Sequence, residues 1–312
     1  MSLASRPTPG VDPVLLARIR RGRRSEFLFA AIGLLVLLIG IGTLFTLLVQ
    51  LLLTGLPHID LDFLTSYPSR RASQAGILSA WVGTCLVMLV TAAIAVPLGI
   101  AAGVYLEEYA SDNLFTQIVE INISNLAGVP SIIYGLLALG LFVYAFGFGE
   151  TILTAGLVLG LLIMPVVIVA TREAIRSIPR EVREGAYALG ADKWQVTRMF
   201  ILPAAKPGIL TGVIVGMARA IGETAPLVTI GALTFIAFLP PPPFRAEFPW
   251  LSFDWLWSPF TVLPIQVFNW VSRPQTEFHE LAAAAAVVLL ALTLLMNAFA
   301  IWIRYRARRH LG

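Results

Sequence analysis

The sequence predicts an all-α integral membrane protein of about six spanning helices, and three observations carry that prediction. Of 312 residues, 58% are hydrophobic and 13% charged, where a soluble domain carries about 25% charged residues. The apolar residues fall in runs of about 20 or more, the length that crosses a hydrocarbon core of about 30 Å. In lipid every backbone N–H and C=O must find a partner within the chain, so runs of this hydropathy form helices.

Six runs are long enough to cross: residues 27–53, 77–106, 121–146, 151–171, 207–239 and 281–303. The first follows Arg18, Arg20, Arg21, Arg23 and Arg24 and stays uncharged to residue 57. That is too long for the core of a cleaved leader, so it is read as a span. Pro97, Pro130, Pro165 and Pro226 fall one apiece in the second to fifth runs. A proline inside a spanning helix frees carbonyls and bends it. This suits either a bundle that flexes around a pathway or static kinks fixed by packing.

Orientation follows from the cations. Seventeen of the 22 Lys and Arg lie in the two terminal tails and the loop 172–206. Arg70, Arg71, Arg245 and Arg273 lie on the other side, and Arg219 lies within a run. The positive-inside rule therefore places both termini and the loop in the cytoplasm. The short loop with Glu107, Glu108 and Asp112 falls inside by the same rule. The chain divides into a basic tail (1–26), a membrane domain (27–306) and a short C-terminal tail (307–312). A net charge of +4 distributed in this way gives no sign of a nucleic-acid partner. The single Cys85 sits in an apolar run, and His58, His279 and His310 are scattered, so no disulfide or metal site is expected.

The loop 172–206 is charged between apolar flanks. Pro179 suits a helix's first turn, and the residues to Leu189 are good helix formers apart from Gly185. Gly190 stands where a left-handed C-cap would end that helix. Asp192 can cap a second one over residues 193–202, with Pro203 and Pro207 marking return to the membrane. These residues fit a rigid knob at the membrane surface or an ordinary amphipathic loop helix. Glu184, Ala186, Gly190, Leu202 and Pro203 also stand at the spacing of the EAA loop, and here the chain resembles the permeases of ABC importers. Gly185 replaces that pattern's first alanine, and Phe200 stands where isoleucine is common. The resemblance implies a coupling helix docking into a cleft on a cytoplasmic ATPase, through Glu184, Gly185, Ala186, Gly190 and Asp192.

The external segment 240–280 differs in texture. Pro240 to Pro243 read as a stiff spacer. Trp250, Trp255, Trp257 and Trp270 then interleave with Phe248, Phe253, Phe260 and Phe268. Such density fits an aromatic belt at the headgroups. It also fits a re-entrant or docking surface, with Gln266 and Asn269 near a pathway mouth.

The fifth run carries Arg219 and Glu223. At 100° per residue, Gly208, Gly212, Gly216, Arg219, Glu223 and Pro226 share an arc of about 80°. Small residues every fourth position let helices approach closely, so this face meets protein. One charge at the bilayer centre costs about 2.5–3.5 kcal/mol on insertion scales. The pair is then either an internal salt bridge or a filter. As a filter, Arg219 offers a guanidinium fork to a tetrahedral oxyanion. Glu223 accepts the proton that phosphate, unlike sulfate, carries near neutral pH.

ARAIGETAPL at 218–227, LPIQVFNW at 263–270 and GVPSIIYGL at 128–136 resemble the phosphate-specific ABC permeases, the PstA type in particular, from about residue 77 onward. The resemblance implies a type I importer permease fold in a bacterial inner membrane, its pathway lined by Arg219, Glu223 and Thr224. It also implies a PstC-type sister permease, a PstB-type ATPase dimer inside that binds the ATP, and a PstS-type phosphate-binding protein outside. No cofactor is expected in this chain. A PstC-type permease or one for another oxyanion is the nearest alternative, since the sister shares the Arg-x-x-Gly-Glu spacing. A membrane enzyme acting on lipid-linked phosphate is the alternative of another class, but it would want a cluster of catalytic groups, and one Arg–Glu pair is buried here. The chain contains no G-x-x-x-x-G-K-[ST], so hydrolysis is assigned to a partner and the chain itself is expected to be non-catalytic.

Overall fold

The computed structural model describes residues 13–232, 235–243, 250 and 252–308. The outer parts of both tails, Arg245 and Phe248 lie outside them. Among the described residues all regular structure is helical.

By its contacts the chain separates into residues 1–53 and 54–312. The first unit is built from one helix, α1 (Pro13–Gly55), which holds the arginine cluster and the first apolar run without a break between them. Phe27, Phe29, Leu44 and Phe45 are exposed, as suits a helix surface whose solvent is lipid.

The second unit opens with α2 (Leu61–Thr65), which the Asp60 carboxylate caps by accepting from Phe63 N–H at 2.6 Å. It continues into α3 (Leu78–Val104), closed by a π-helical turn at Tyr105–Tyr109. The third run is not one helix. α4 (Leu114–Leu126) and α5 (Ser131–Ala138, prolonged by a π-helical turn at Leu139–Ala145) meet at 107°. Proline disfavours helix at the preceding residue, and at Pro130 the predicted kink is a full break. In α6 (Ile152–Arg176), by contrast, Pro165 stays inside the helix.

The charged loop folds as α7 (Arg180–Ala188) and α8 (Lys193–Val196). α8 then runs through a π-helical turn, Thr197–Ile201, into α9 (Leu202–Ile221). The fifth span therefore reaches from Lys193 to Ile221, not from residue 207 to 239. Pro203 sits in the first turn of α9, where a missing N–H is tolerated, and Pro207 lies inside that helix. Beyond Gly222, among the described residues, only the short α10 (Ala225–Thr229) is helical before the external segment. α11 (Leu263–Val271) and α12 (Thr276–Arg308) complete the unit.

α6 is the most buried span and the centre of this unit. Gly99 and Gly103 of α3 abut Val167 and Thr171 of α6, and Gly208 and Gly212 of α9 abut Ala174 and Ala170. Glycine permits these approaches, which hold the helices together where no hydrophobic drive separates them from lipid. The aromatics of the external segment divide. Trp255, Phe260 and Trp270 are buried, whereas Trp250, Phe253, Trp257 and Phe268 are exposed. Trp270 packs α11 against α12 beside Phe278, while Trp255 and Phe260 join the cluster built on α3 and α6. Gln266 is 1% exposed and so lies inside protein, not at a mouth. Its Oε1 finds no hydrogen-bond partner among the described residues.

Candidate functional site

Two regions hold the residues singled out from sequence. The first is the α7–α8 turn. Gly190 has φ +84°, the left-handed conformation that the C-cap position demands. Its N–H donates to Tyr187 O at 2.9 Å, and Ala191 N–H donates to Ala186 O at 3.2 Å. Asp192 and Gln195 form a reciprocal capping box. Gln195 N–H donates to Asp192 Oδ1 at 2.8 Å, and Asp192 N–H donates to Gln195 Oε1 at 3.0 Å. The helix–glycine–helix geometry legible in the sequence is thus present.

Of the nine residues of α7 only Ala186 is buried. It packs into a cluster with Ile175, Ile178, Val196 and Ile201. Ala186 is therefore an anchor, while Glu184, Gly185, Gly190 and Asp192 face outward. Tyr187, Leu189 and Trp194 are exposed beside them, Leu189 at 87%. Sequence inspection passes over this apolar surface, because an uncharged stretch such as residues 185–191 does not by itself say which side chains face outward.

It also misses a cluster of ion pairs beneath the loop. Glu107 accepts from Arg172 Nε at 3.3 Å and from Arg176 Nη2 at 2.9 Å, and Arg172 Nη2 donates to Glu120 at 2.6 Å. Glu108, whose side chain is 6% exposed, accepts from Arg183 Nη2 at 2.8 Å. Two adjacent glutamates at a span end, facing arginines at 172, 176 and 183, were the available signal.

The second region is the end of α9. Gly208 and Gly212 face α6 as the helical arc requires. The arc fails past Ile221, since the helix stops at Gly222 and leaves Glu223 and Thr224 in the break before α10. Pro226 sits in the first turn of α10, where its missing N–H costs nothing. Arg219 still reaches Glu223, Nε to Oε1 at 3.5 Å, with side chains 40% and 20% exposed. The carbonyl of Thr224 accepts from the N–H groups of Leu227 and Val228. α10 packs on α5, where Gly135 lies directly against Thr229 and Pro226. Two of the motifs quoted above, far apart in sequence, are therefore in contact.

A helical membrane domain with a glycine-hinged knob at one end and an Arg–Glu pair at a break in a span has the architecture of an ABC importer permease. The solved structures agree on the fold. A bacterial alginate ABC transporter bound to an alginate-loaded periplasmic protein superposes with TM-score 0.60 at 14% identity, over 91% of this chain and 96% of that one. The inward-facing MetNI methionine ABC transporter gives TM-score 0.55 at 17% identity, over 72% and 93%. The family described as binding-protein-dependent transport system inner membrane component matches residues 95–309, and the chain belongs to that family. The phosphate transport system permease protein PstA of Haemophilus influenzae is 32% identical over 270 residues, 84% of this chain and 87% of that protein. The probable ABC transporter permease protein YqgI of Bacillus subtilis is 30% identical over 256 residues, 81% and 86%.

Proposed function

We propose that this chain is a permease subunit of an ATP-driven importer of inorganic phosphate in a bacterial inner membrane. It forms half of the pathway beside a PstC-type sister. A PstB-type ATPase dimer receives α7 on the cytoplasmic side, where both termini also lie, and a PstS-type protein delivers phosphate outside. The exposed residues Glu184, Gly185, Gly190 and Asp192, with Tyr187 and Leu189, supply the face that meets the ATPase. Hydrolysis belongs to that partner.

The observation that carries this reading is the looseness of the Arg219–Glu223 pair. The same chain shows what a structural ion pair looks like: Arg183 to Glu108 at 2.8 Å, with the carboxylate 6% exposed. Arg219 is held at 3.5 Å by a single atom pair and is 40% exposed. Its fork thus keeps donors free for a tetrahedral anion. It stands in the last turn of α9, where a cation is favoured by the helix's own carbonyls. Glu223 beside it favours an oxyanion that brings a proton and repels one that does not.

The test is ATP-driven uptake in proteoliposomes holding all four components, with phosphate, sulfate and molybdate compared. A hydrogen bond to a charged group is worth about 1.5–3 kcal/mol, so Arg219→Ala lowers phosphate uptake about 10- to 100-fold. Glu223→Gln narrows the preference for phosphate over sulfate. An assembled Arg219→Ala complex moving phosphate at the normal rate overturns the assignment.

A further inference from the structure

The surface helix α7 is weakly held by packing. One buried alanine attaches it to the rest of the chain, and a Cβ at Gly185 would meet nothing within 4 Å. Burial of a single methyl does not fix the orientation of a nine-residue helix. Arg183 does more. Its Nη1 donates to Ile178 O at 3.1 Å, its Nη2 to Ile175 O at 3.1 Å, and its Nε and Nη2 to Glu108 Oε1 at 3.2 and 2.8 Å. Ile175 lies in the last turn of α6 and Ile178 just beyond it, where the carbonyl end of the helix attracts a cation. Glu108 lies in the π-helical turn that ends α3, and its neighbour Glu107 grips Arg172 and Arg176 of α6. One guanidinium therefore joins three elements through four hydrogen bonds.

We propose that Arg183 is the positioning residue that locks the coupling helix to the cytoplasmic ends of α3 and α6, with Glu108 as its counter-charge. Displacement of α7 by the ATPase then reaches both spans at once, and through α6 the packed α9 that carries Arg219. A helix held by Ala186 alone would pivot under the same push and waste it. The inference rests on the importer reading above, because it needs an ATPase that pushes.

The experiment uses the four-component proteoliposomes and measures phosphate uptake and ATP hydrolysis in the same sample. The variants are Glu108→Gln, Arg183→Gln and Arg183→Lys. Glu108→Gln leaves every residue of α7 unchanged, so it decides the question even where an Arg183 variant does not assemble. Changes along a coupling route are worth roughly threefold to thirtyfold. The expected result is that phosphate moved per ATP falls by that factor in Glu108→Gln while binding-protein-stimulated hydrolysis stays within about twofold. Arg183→Gln falls at least as far, and Arg183→Lys recovers part of the loss by restoring charge without the fork. Glu108→Gln with the wild-type ratio, or with uptake and hydrolysis falling together, overturns the proposal. If the unaltered complex itself moves no phosphate on ATP, the importer reading fails instead, so the two failures are separable.

Discussion

Gly208 offers the sharpest test of how the spans are held. Replacing it with alanine builds a Cβ 2.6 Å from the Cβ of Ala174 and 3.4 Å from its Cα. Carbon atoms rest about 3.5–4.0 Å apart, so α9 and α6 must separate by about 1 Å at this point. Ala174 has no side-chain rotamer with which to yield, and the strain falls on the two backbones. Overpacking of this kind costs about 1–3 kcal/mol. At about 2–4 °C per kcal/mol for a unit of this size, Gly208→Ala lowers the melting midpoint of the detergent-solubilised chain by roughly 2–12 °C. Gly185→Ala is the control. It meets nothing within 4 Å, and it gains about 1 kcal/mol of helix propensity. Thermal unfolding followed by size-exclusion chromatography compares the two directly. A Gly208→Ala chain as stable as the Gly185→Ala chain refutes the claim that close backbone approach holds α9 on α6.

Two further substitutions bear on function. Gly190→Val forces a β-branched residue to φ +84°, at a cost of about 1–3 kcal/mol; ATP hydrolysis is expected to lose its link to uptake while membrane insertion, read by protease protection, is unchanged. Gly135→Ala places a Cβ 2.7 Å from Pro226 Cα, prising α5 from α10; phosphate uptake falls by an amount comparable to Arg219→Ala, although residue 135 carries no charge.

The parts legible in the sequence were those decided within a few residues. Gly190 had to take positive φ because a helix former precedes it and a capping aspartate follows at Asp192. Those are contacts of the chain with itself over four or five positions. The long apolar runs announced their spans for a similar reason, since length and hydropathy are local properties. What failed was placement across longer distances. Hydropathy cannot tell that Pro130 breaks its span while Pro165 does not, because that depends on whether neighbouring helices hold the kinked turn straight. Nor can it show that the fifth span begins among charges at Lys193, since the capping box starts a helix which the π-helical turn then carries past two prolines. The arc that aligned Arg219 with Glu223 and Pro226 assumed one unbroken helix. Their pairing survives only because the side chains are long enough to cross the break. Glu107 and Glu108 pair with arginines 65 to 75 positions away, and no local rule reaches that far.

The glycine contacts also decide what kind of motion this unit can make. α3 lies against one face of α6 through Gly99 and Gly103, and α9 lies against it through Gly208 and Gly212. Interfaces this close leave no slack for sliding, because an ångström of displacement meets backbone or Cβ atoms on the other side. The three helices must therefore move as one body. Pro97 and Pro165 lie inside helices that run past them unbroken. The spans are interrupted elsewhere, at the 107° break before α5 and after Gly222. Arg219 is the last charged residue of the rigid body, and Glu223 is the first beyond it. On the importer reading proposed above, a push on α7 that turns α3, α6 and α9 together would change the distance between that arginine and that glutamate, and movement at the membrane surface would become a changed grip on the proposed anion.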